Sequence, residues 1–336
     1  MAHPQKHPQP ARPLQAAAPA PHAARLRLVE QARAGRPAEH LALEAGLLDP
    51  NAHIEPKYLY DALGSTLFSA ITLLPEYYPT RCEAEILAGH GQDIAARARP
   101  VRTLIDLGAG DCVKAERLLP ALQPACYMPV DISADYLRQA VQRLRRGHPD
   151  LDILPIEQDF SAGLQLPPVV PRDGRLVFFP GSSIGNLDPA RALALLRNLA
   201  GLDAQLLIGV DRVKQRNILE LAYDDALHLT AAFNLNLLRH VNHVLGSDFD
   251  ARDWEHHARY NEAEQRVEMH LRALRDVRVA WPGERRHFTP GETIHTENSY
   301  KYTIEGFEGL LQEAGYRDIR HWSDARDWFT VFHARR

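Results

Sequence analysis

One stretch constrains this chain more than any other. Between Val101 and Asp211, short apolar runs alternate with amphipathic ones at the spacing of strands and helices. VRTLIDLGAG reads as a buried strand running into a glycine turn, and DCVKAERLLPAL as the helix after it. CYMPVDIS, LDILPIEQDF, GRLVFFPGSS and AQLLIGVD continue the strands, with ADYLRQAVQRLRRG and PARALALLRNLA as helices between them. Uninterrupted apolar strands separated by helices predict a parallel sheet covered on both faces.

The rest of the chain follows other patterns. Residues 1–24 carry six prolines and eight alanines and almost nothing able to build a core, so a disordered tail is expected. His3, His7 and His22 are too irregularly spaced for a metal tract. A helix is expected over 82–97. Past Arg212 the alternation stops: 217–245 reads as one or two amphipathic helices, and EQRVEMHLRALRDV (264–277) alternates like an antiparallel strand. YTIEGFEGLLQEAGY is a helix closed by Gly315, and strands near 319–323 and 328–333 can rejoin the sheet. The expected plan is an α/β protein. A Rossmann-like domain (82–212 plus 301–336) is flanked by a second α+β domain (25–81 plus 213–300) that caps its ligand edge.

Charge and cysteine usage exclude several functions. The 39 basic residues against 43 acidic ones leave −4, no footprint for gripping nucleic acid or an anionic membrane. No apolar run is long enough to span a bilayer. Cys82, Cys112 and Cys126 form no C-x-x-C pair, which argues against a disulfide framework or a cysteine zinc site and fits a reducing cytoplasm. His240 and His243, or His256 and His257, lack a third ligand at a metal-site spacing, so no metal is expected.

In a doubly wound sheet, ligands sit beyond the carboxyl ends of the strands, where strand order reverses. Asp106-Leu107-Gly108-Ala109-Gly110 closes the first strand, where glycines let a ligand reach the backbone and the next helix N-terminus favours an anionic group. Asp131 closes the second, 21 residues after Gly110, where a carboxylate can accept both hydroxyls of a ribose. Asp159 and Phe160 close the third, an acceptor for an exocyclic amine beside an apolar face for a purine. A dinucleotide and S-adenosylmethionine both fit. The dinucleotide fingerprint wants a third glycine where Val113 stands, which favours S-adenosylmethionine.

Six segments then carry a more specific likeness: YDALGSTLFSAITLLPEYYPTR (Tyr60–Arg81), LIDLGAGDCVK (Leu104–Lys114), FFPGSSIGNL (Phe178–Leu187), AYDDALHLTAAFNLNLL (Ala222–Leu238), EMHL (Glu268–Leu271) and IHTENSYKYT (Ile294–Thr303). Together they resemble the histidine-specific, S-adenosylmethionine-dependent methyltransferases, the L-histidine Nα-methyltransferases that open ergothioneine biosynthesis. The resemblance runs over about residues 25–336. It implies three successive methylations of the histidine α-amine, giving the betaine hercynine. It further implies that Gly108, Lys114, Asp131, Asp159 and Phe160 hold the cofactor. Asn186 and Tyr223 would hold the amino-carboxylate end of the substrate, with Tyr60 close to the reacting amine and Tyr60 and Asn186 as the catalytic pair. Tyr77, Met269, Glu297 and Ser299 would surround the imidazole. A monomer acting on free L-histidine, without nucleic acid, membrane or metal, is the expected form.

Taken without the likeness, several of these residues have plainer readings. Tyr77 and Tyr78 can be core aromatics beside Pro75, and Met269 core filler on a strand. Asn186 after Gly185 can be a turn residue, and Glu297 can pair with Lys301 if that stretch is helical. The chemistry still suits the implied roles. Methyl transfer from a sulfonium needs a neutral amine lone pair aimed at the methyl carbon, so positioning is the main task of the protein. A carboxylate such as Glu297 is a natural partner for an imidazole N–H.

Overall fold

The computed structural model describes residues 36–336, so the tail expected over 1–24 lies outside the described residues. Three helices precede the first strand: α1 (Arg36–Leu48), α2 (Ala62–Ile71) and α3 (Tyr78–Ala98). Asp61 starts α2 by accepting the Gly64 N–H at 2.7 Å, satisfying one of the free donors of a helix start. The expected helix 82–97 begins earlier, at Tyr78, because Pro79 suits its first turn.

The alternating region then runs β1 (Thr103–Leu107), α4 (Val113–Glu116), α5 (Leu119–Leu122), β2 (Cys126–Asp131), α6 (Ala134–Gly147), β3 (Asp152–Ile153), β4 (Ile156–Glu157), β5 (Arg175–Phe179), α7 (Pro189–Ala200) and β6 (Ala204–Asp211). Two expectations need correction here. The helix over 111–122 is two single turns, α4 and α5, with Pro120 starting the second turn rather than continuing the first. The third strand is two short pieces, β3 and β4, separated at Leu154-Pro155, where proline cannot donate to a ladder.

Downstream come α8 (Arg216–Leu221), α9 (Leu229–Leu245), β7 (Trp254–Asn261), β8 (Arg266–Ala273), β9 (Val277–Trp281), β10 (Glu284–Phe288) and β11 (Thr293–Tyr300). The chain closes with α10 (Ile304–Glu313), β12 (Asp318–Ser323) and β13 (Phe329–Arg335). The central sheet has the order β12-β13-β6-β5-β1-β2-β3, with β4 also on β2. β1, β2, β5 and β6 pair in parallel, while β13 lies antiparallel to β6 and β12 antiparallel to β13. Order reverses between β1 and β5, so the carboxyl ends of those strands frame a crevice.

Both sheet faces are buried, which explains the unbroken apolar runs. Leu104, Tyr127, Phe178 and Leu207 pack into one layer with Ile86 and Ile94 of α3. Their neighbours Ile105, Met128, Val177 and Phe179 pack into the other, with Leu195 and Leu199 of α7 and Phe307 of α10. A separate three-stranded antiparallel sheet, β11-β8-β7, carries α9 against β7 and β8, and β9 pairs β10 in a hairpin. Of these strands only β8 stood out in the sequence.

Candidate active site

The crevice is built first from the turn after β1. Gly108 and Gly110 hold φ of +67° and +53°, backbone that L side chains rarely adopt. Gly110 donates its N–H to one oxygen of Asp131 at 2.9 Å, and Ser133 N donates to the other at 2.9 Å. The Asp131 carboxylate is thereby fixed beside the glycine turn, and burial still raises its pKa against those backbone bonds. Phe160 stacks edge-on to Phe179 and brings its ring to 3.8 Å from where a Gly108 side chain would begin. Asp159 accepts from Ser161 N at 2.9 Å and from Lys57 Nζ at 3.4 Å. Partial burial pushes the Asp159 pKa up, but the Ser161 bonds and the Lys57 charge win and lower it.

Lys114 lies differently from the other four. Its ammonium pairs at 2.9 Å with buried Glu83, which also accepts the Gly181 N–H at 2.9 Å. Beneath the turn, Asp106 accepts from Tyr127 at 2.7 Å through one oxygen, while its other oxygen is buried without a partner. Burial pushes this carboxyl up to about 7.

These residues fit S-adenosylmethionine better than a dinucleotide. The Asp131 and Asp159 carboxylates and the apolar Phe160 ring stand together, as a ribose, an exocyclic amine and a purine would require. A pyrophosphate, by contrast, needs a helix N-terminus of some length. Here α4 is one turn long and its cap residue Cys112 makes no side-chain capping bond.

Beside the cofactor crevice is a pocket lined by Tyr60, Tyr77, Asn186 and Tyr223, together with Met269, Glu297 and Ser299. All seven residues expected around the substrate thus meet in one cavity. They arrive from five separated stretches. Asn186 ends a short 3-10 turn after β5, Tyr60 and Tyr77 flank α2, and Tyr223 follows α8. Glu297 and Ser299 lie on β11, and Met269 faces Glu297 across the ladder from β8. Gly185 lets the strand approach: a side chain there would come within 2.8 Å of the Tyr300 carbonyl oxygen.

The pocket is polar but has few free charges. Asn186 donates to Glu297 at 3.3 Å, and Tyr223 donates to Ser299 at 2.7 Å. Burial pushes the Glu297 carboxyl up to about 7, against the pull of Lys301. Burial first, with nearby acidic groups adding, holds the Tyr60, Tyr77 and Tyr223 phenols well above their ordinary range. They stay neutral hydrogen-bonding groups.

Several residues of this region went unread in the sequence. Phe68 and Phe233 add aromatic wall, edge-on to Tyr60 at 5.6 and 5.5 Å. Below the pocket, Asp211 accepts from Tyr78 at 2.7 Å and pairs with Lys301 at 2.8 Å and Lys214 at 2.5 Å. Its position at the carboxyl end of a parallel strand was the available signal. Tyr78 is therefore not simply a core aromatic, and Lys301 pairs with Asp211 rather than forming the helical pair with Glu297, because 293–300 is a strand. His240 bonds the Tyr58 carbonyl at 2.7 Å and His256 the Tyr223 carbonyl at 2.8 Å. Among the described residues no cluster of three or more His, Cys, Asp or Glu can hold a metal ion.

Fold and crevice together define an α/β protein suited to S-adenosylmethionine, with a small polar pocket at the reacting end. Residues 39–336 match the family model described as histidine-specific methyltransferase, SAM-dependent. The chain is 42% identical over 291 residues to histidine N-alpha-methyltransferase of Mycolicibacterium smegmatis, covering 84% of this chain and 90% of that one. It is 40% identical over 304 residues to the histidine N-alpha-methyltransferase of Mycobacterium tuberculosis, covering 86% and 94%. Against ergothioneine biosynthesis protein 1 of Schizosaccharomyces pombe it is 30% identical over 77% of this chain, which spans 36% of that longer protein. The chain belongs to the histidine-specific, S-adenosylmethionine-dependent methyltransferases.

Proposed function

We propose that this protein methylates the α-amine of free L-histidine three times, giving hercynine as the first step toward ergothioneine. The observation that carries this reading is the single pocket joining Asn186 and Tyr223 to Glu297, Ser299 and Met269, beside the crevice of Asp131 and Gly108. In the crevice, Asp131 takes the ribose hydroxyls, Asp159 and Phe160 the adenine, and Gly108 the close backbone contact. Lys114 contributes through Glu83, fixing the Gly181 turn at the base of the crevice.

Bound there, S-adenosylmethionine supplies an electrophilic methyl group on a sulfonium. The residues of this chain then bind and aim the amine. Asn186 grips the amino-carboxylate end without placing a full charge on it, Tyr223 offers that end its oxygen as an acceptor, and Tyr60 stands beside the amine. Aromatic rings of Phe68 and Phe233 displace water, and desolvation favours the neutral amine over the ammonium. Glu297 accepts an imidazole N–H, while Met269 sets the depth of the pocket. Orientation of this kind is the main source of acceleration for a methyl transfer.

We read 82–212 plus 301–336 as the cofactor-binding part and 25–81 plus 213–300 as the substrate-binding part, since the parallel and antiparallel sheets divide in that way. A monomer acting on free L-histidine is the form we propose. The charge balance argues against nucleic acid as substrate. No helix among the described residues is long and apolar enough to cross a membrane. Three free cysteines fit a reducing cytoplasm. The test is a panel of all common amino acids, each incubated with S-adenosylmethionine and followed by mass spectrometry. Histidine alone should gain one, two and then three methyl groups. A different amino acid turned over more efficiently would overturn the reading.

A further inference from the structure

The hydrogen-bond directions beneath the pocket carry an inference that rests on the histidine reading and deepens it. Lys301 is buried, and an ammonium has three donors and no acceptor. All three find partners: Asp211 Oδ2 at 2.8 Å, Ser299 Oγ at 2.7 Å and Tyr223 Oη at 3.0 Å. Tyr223 Oη therefore accepts from Lys301, and its single proton goes to Ser299 Oγ at 2.7 Å. The phenol is the stronger acid of the two hydroxyls, which supports that direction.

Ser299 Oγ then has both acceptor sites filled, by Lys301 and by Tyr223. Its own proton has no protein acceptor among the described residues, and its side chain faces the pocket. Glu297 lies two residues back on the same face of β11, held by Asn186 at 3.3 Å. The other titratable groups around the pair are Tyr60, Tyr77 and Tyr223, with Asp211 and Lys301 behind.

We propose that Lys301 is a positioning residue: with Tyr223 it commits the Ser299 hydroxyl to donate into the pocket. The site then takes a neutral imidazole in one tautomer, its bare nitrogen toward Ser299 and its N–H toward Glu297. Asp211 holds Lys301 in place, and Lys214 and Tyr78 keep Asp211 compensated if Lys301 is changed.

The experiment measures calorimetric affinity, with S-adenosylhomocysteine present, for histidine and for the pyrrolylalanine in which the bare ring nitrogen is C–H. The wild-type protein should prefer histidine by roughly 5- to 100-fold, the effect of leaving a buried donor unpaired. Lys301→Met should shrink that ratio by at least about threefold, because Ser299 can turn its proton toward Tyr223. Ser299→Ala should shrink it too, and adding Lys301→Met to Ser299→Ala should shrink it no further. A ratio unchanged in Lys301→Met, with both affinities falling together, would show a merely structural role and overturn the proposal. Nitrogen-15 spectra of labelled histidine bound to the wild-type protein give a second reading that needs no variant. One protonated and one bare ring nitrogen are expected. Two protonated nitrogens would overturn this inference while leaving the substrate assignment intact, whereas a wild-type protein that binds no histidine would overturn both.

Discussion

At the scale of one residue, Glu297 carries a stability cost that the proposed recognition of the imidazole would explain. Its carboxyl is raised from 4.5 to about 7 because burial disfavours the anion more than Lys301 favours it. The folded state thus holds this proton more tightly than the unfolded chain does. That contribution is fully present below about 4.5 and is lost as pH rises to about 7. Glu297→Gln should therefore stabilise the ligand-free protein by about 2–3 kcal/mol at pH 8 and by little at pH 4.5, measured by denaturant unfolding. An equal effect at both pH values would mean that Glu297 is not forced to ionise in a buried site. The same group should tie histidine affinity to pH. Below about 7 a protonated Glu297 offers a ring N–H only a neutral, weaker acceptor, and below about 6.5 the free imidazole is itself a cation. Calorimetry should show binding weaken steadily from pH 8 to pH 6; a flat profile would remove Glu297 from the ring. The identity of such residues was legible through the segments they sit in. Asp211 was not, because a lone carboxylate at a strand end carries no motif, and only the fold brings Lys214, Tyr78 and Lys301 to it.

Among elements, β11 is the most informative. Its pairing with β8 is interrupted between His295 and Glu297, where one extra residue is accommodated. His295 faces His270 and Glu297 faces Met269, so these two β11 side chains, two residues apart, point to opposite sides of the sheet. Strict alternation along IHTENSYKYT would place them on one side, and that is why the strand did not stand out. Thr296 fills the irregularity, buried and bonded to the Met269 carbonyl at 3.0 Å. Deleting Thr296 should swing Glu297 away from the pocket, abolishing histidine binding while S-adenosylhomocysteine still binds. Histidine binding retained at wild-type strength would show that the bulge does not aim Glu297. The parallel strands were legible because both faces are buried and every position is apolar. β7, β9 and β10 were not, since half-exposed antiparallel strands mix charged and apolar residues, as VRVAW and ERRHF do. On the cofactor side, Asp131 accepts the Gly110 N–H, and it closes β2. Asp131→Ala should weaken S-adenosylhomocysteine at least about tenfold by calorimetry, the scale of one or two charge-assisted hydrogen bonds. Unchanged affinity in a folded variant would take Asp131 out of the ribose site.

For the whole molecule, the proposed function assigns the electrophile to the edge of the parallel sheet and the acceptor amine to the side of the smaller antiparallel sheet. Contacts such as Ser69 with Tyr136 join α2 to α6, and Lys57 with Asp159 joins the segment before α2 to the loop after β4. The pocket thus depends on both parts being in register. The pocket supplies neutral groups to the amine, so turnover should rise from neutral to alkaline pH as the substrate ammonium loses its proton, since α-amines titrate near 8 and above. The central claim is that the ring is held at Glu297 and Ser299 so that only the α-amine meets the methyl group. Proton and nitrogen spectra of the exhausted reaction product test it most directly. The account predicts three equivalent methyl groups on the α-nitrogen, both ring nitrogens unmodified, and three S-adenosylhomocysteines released per histidine. A methyl group on either ring nitrogen, or a reaction that stops with one methyl on the amine, would contradict it.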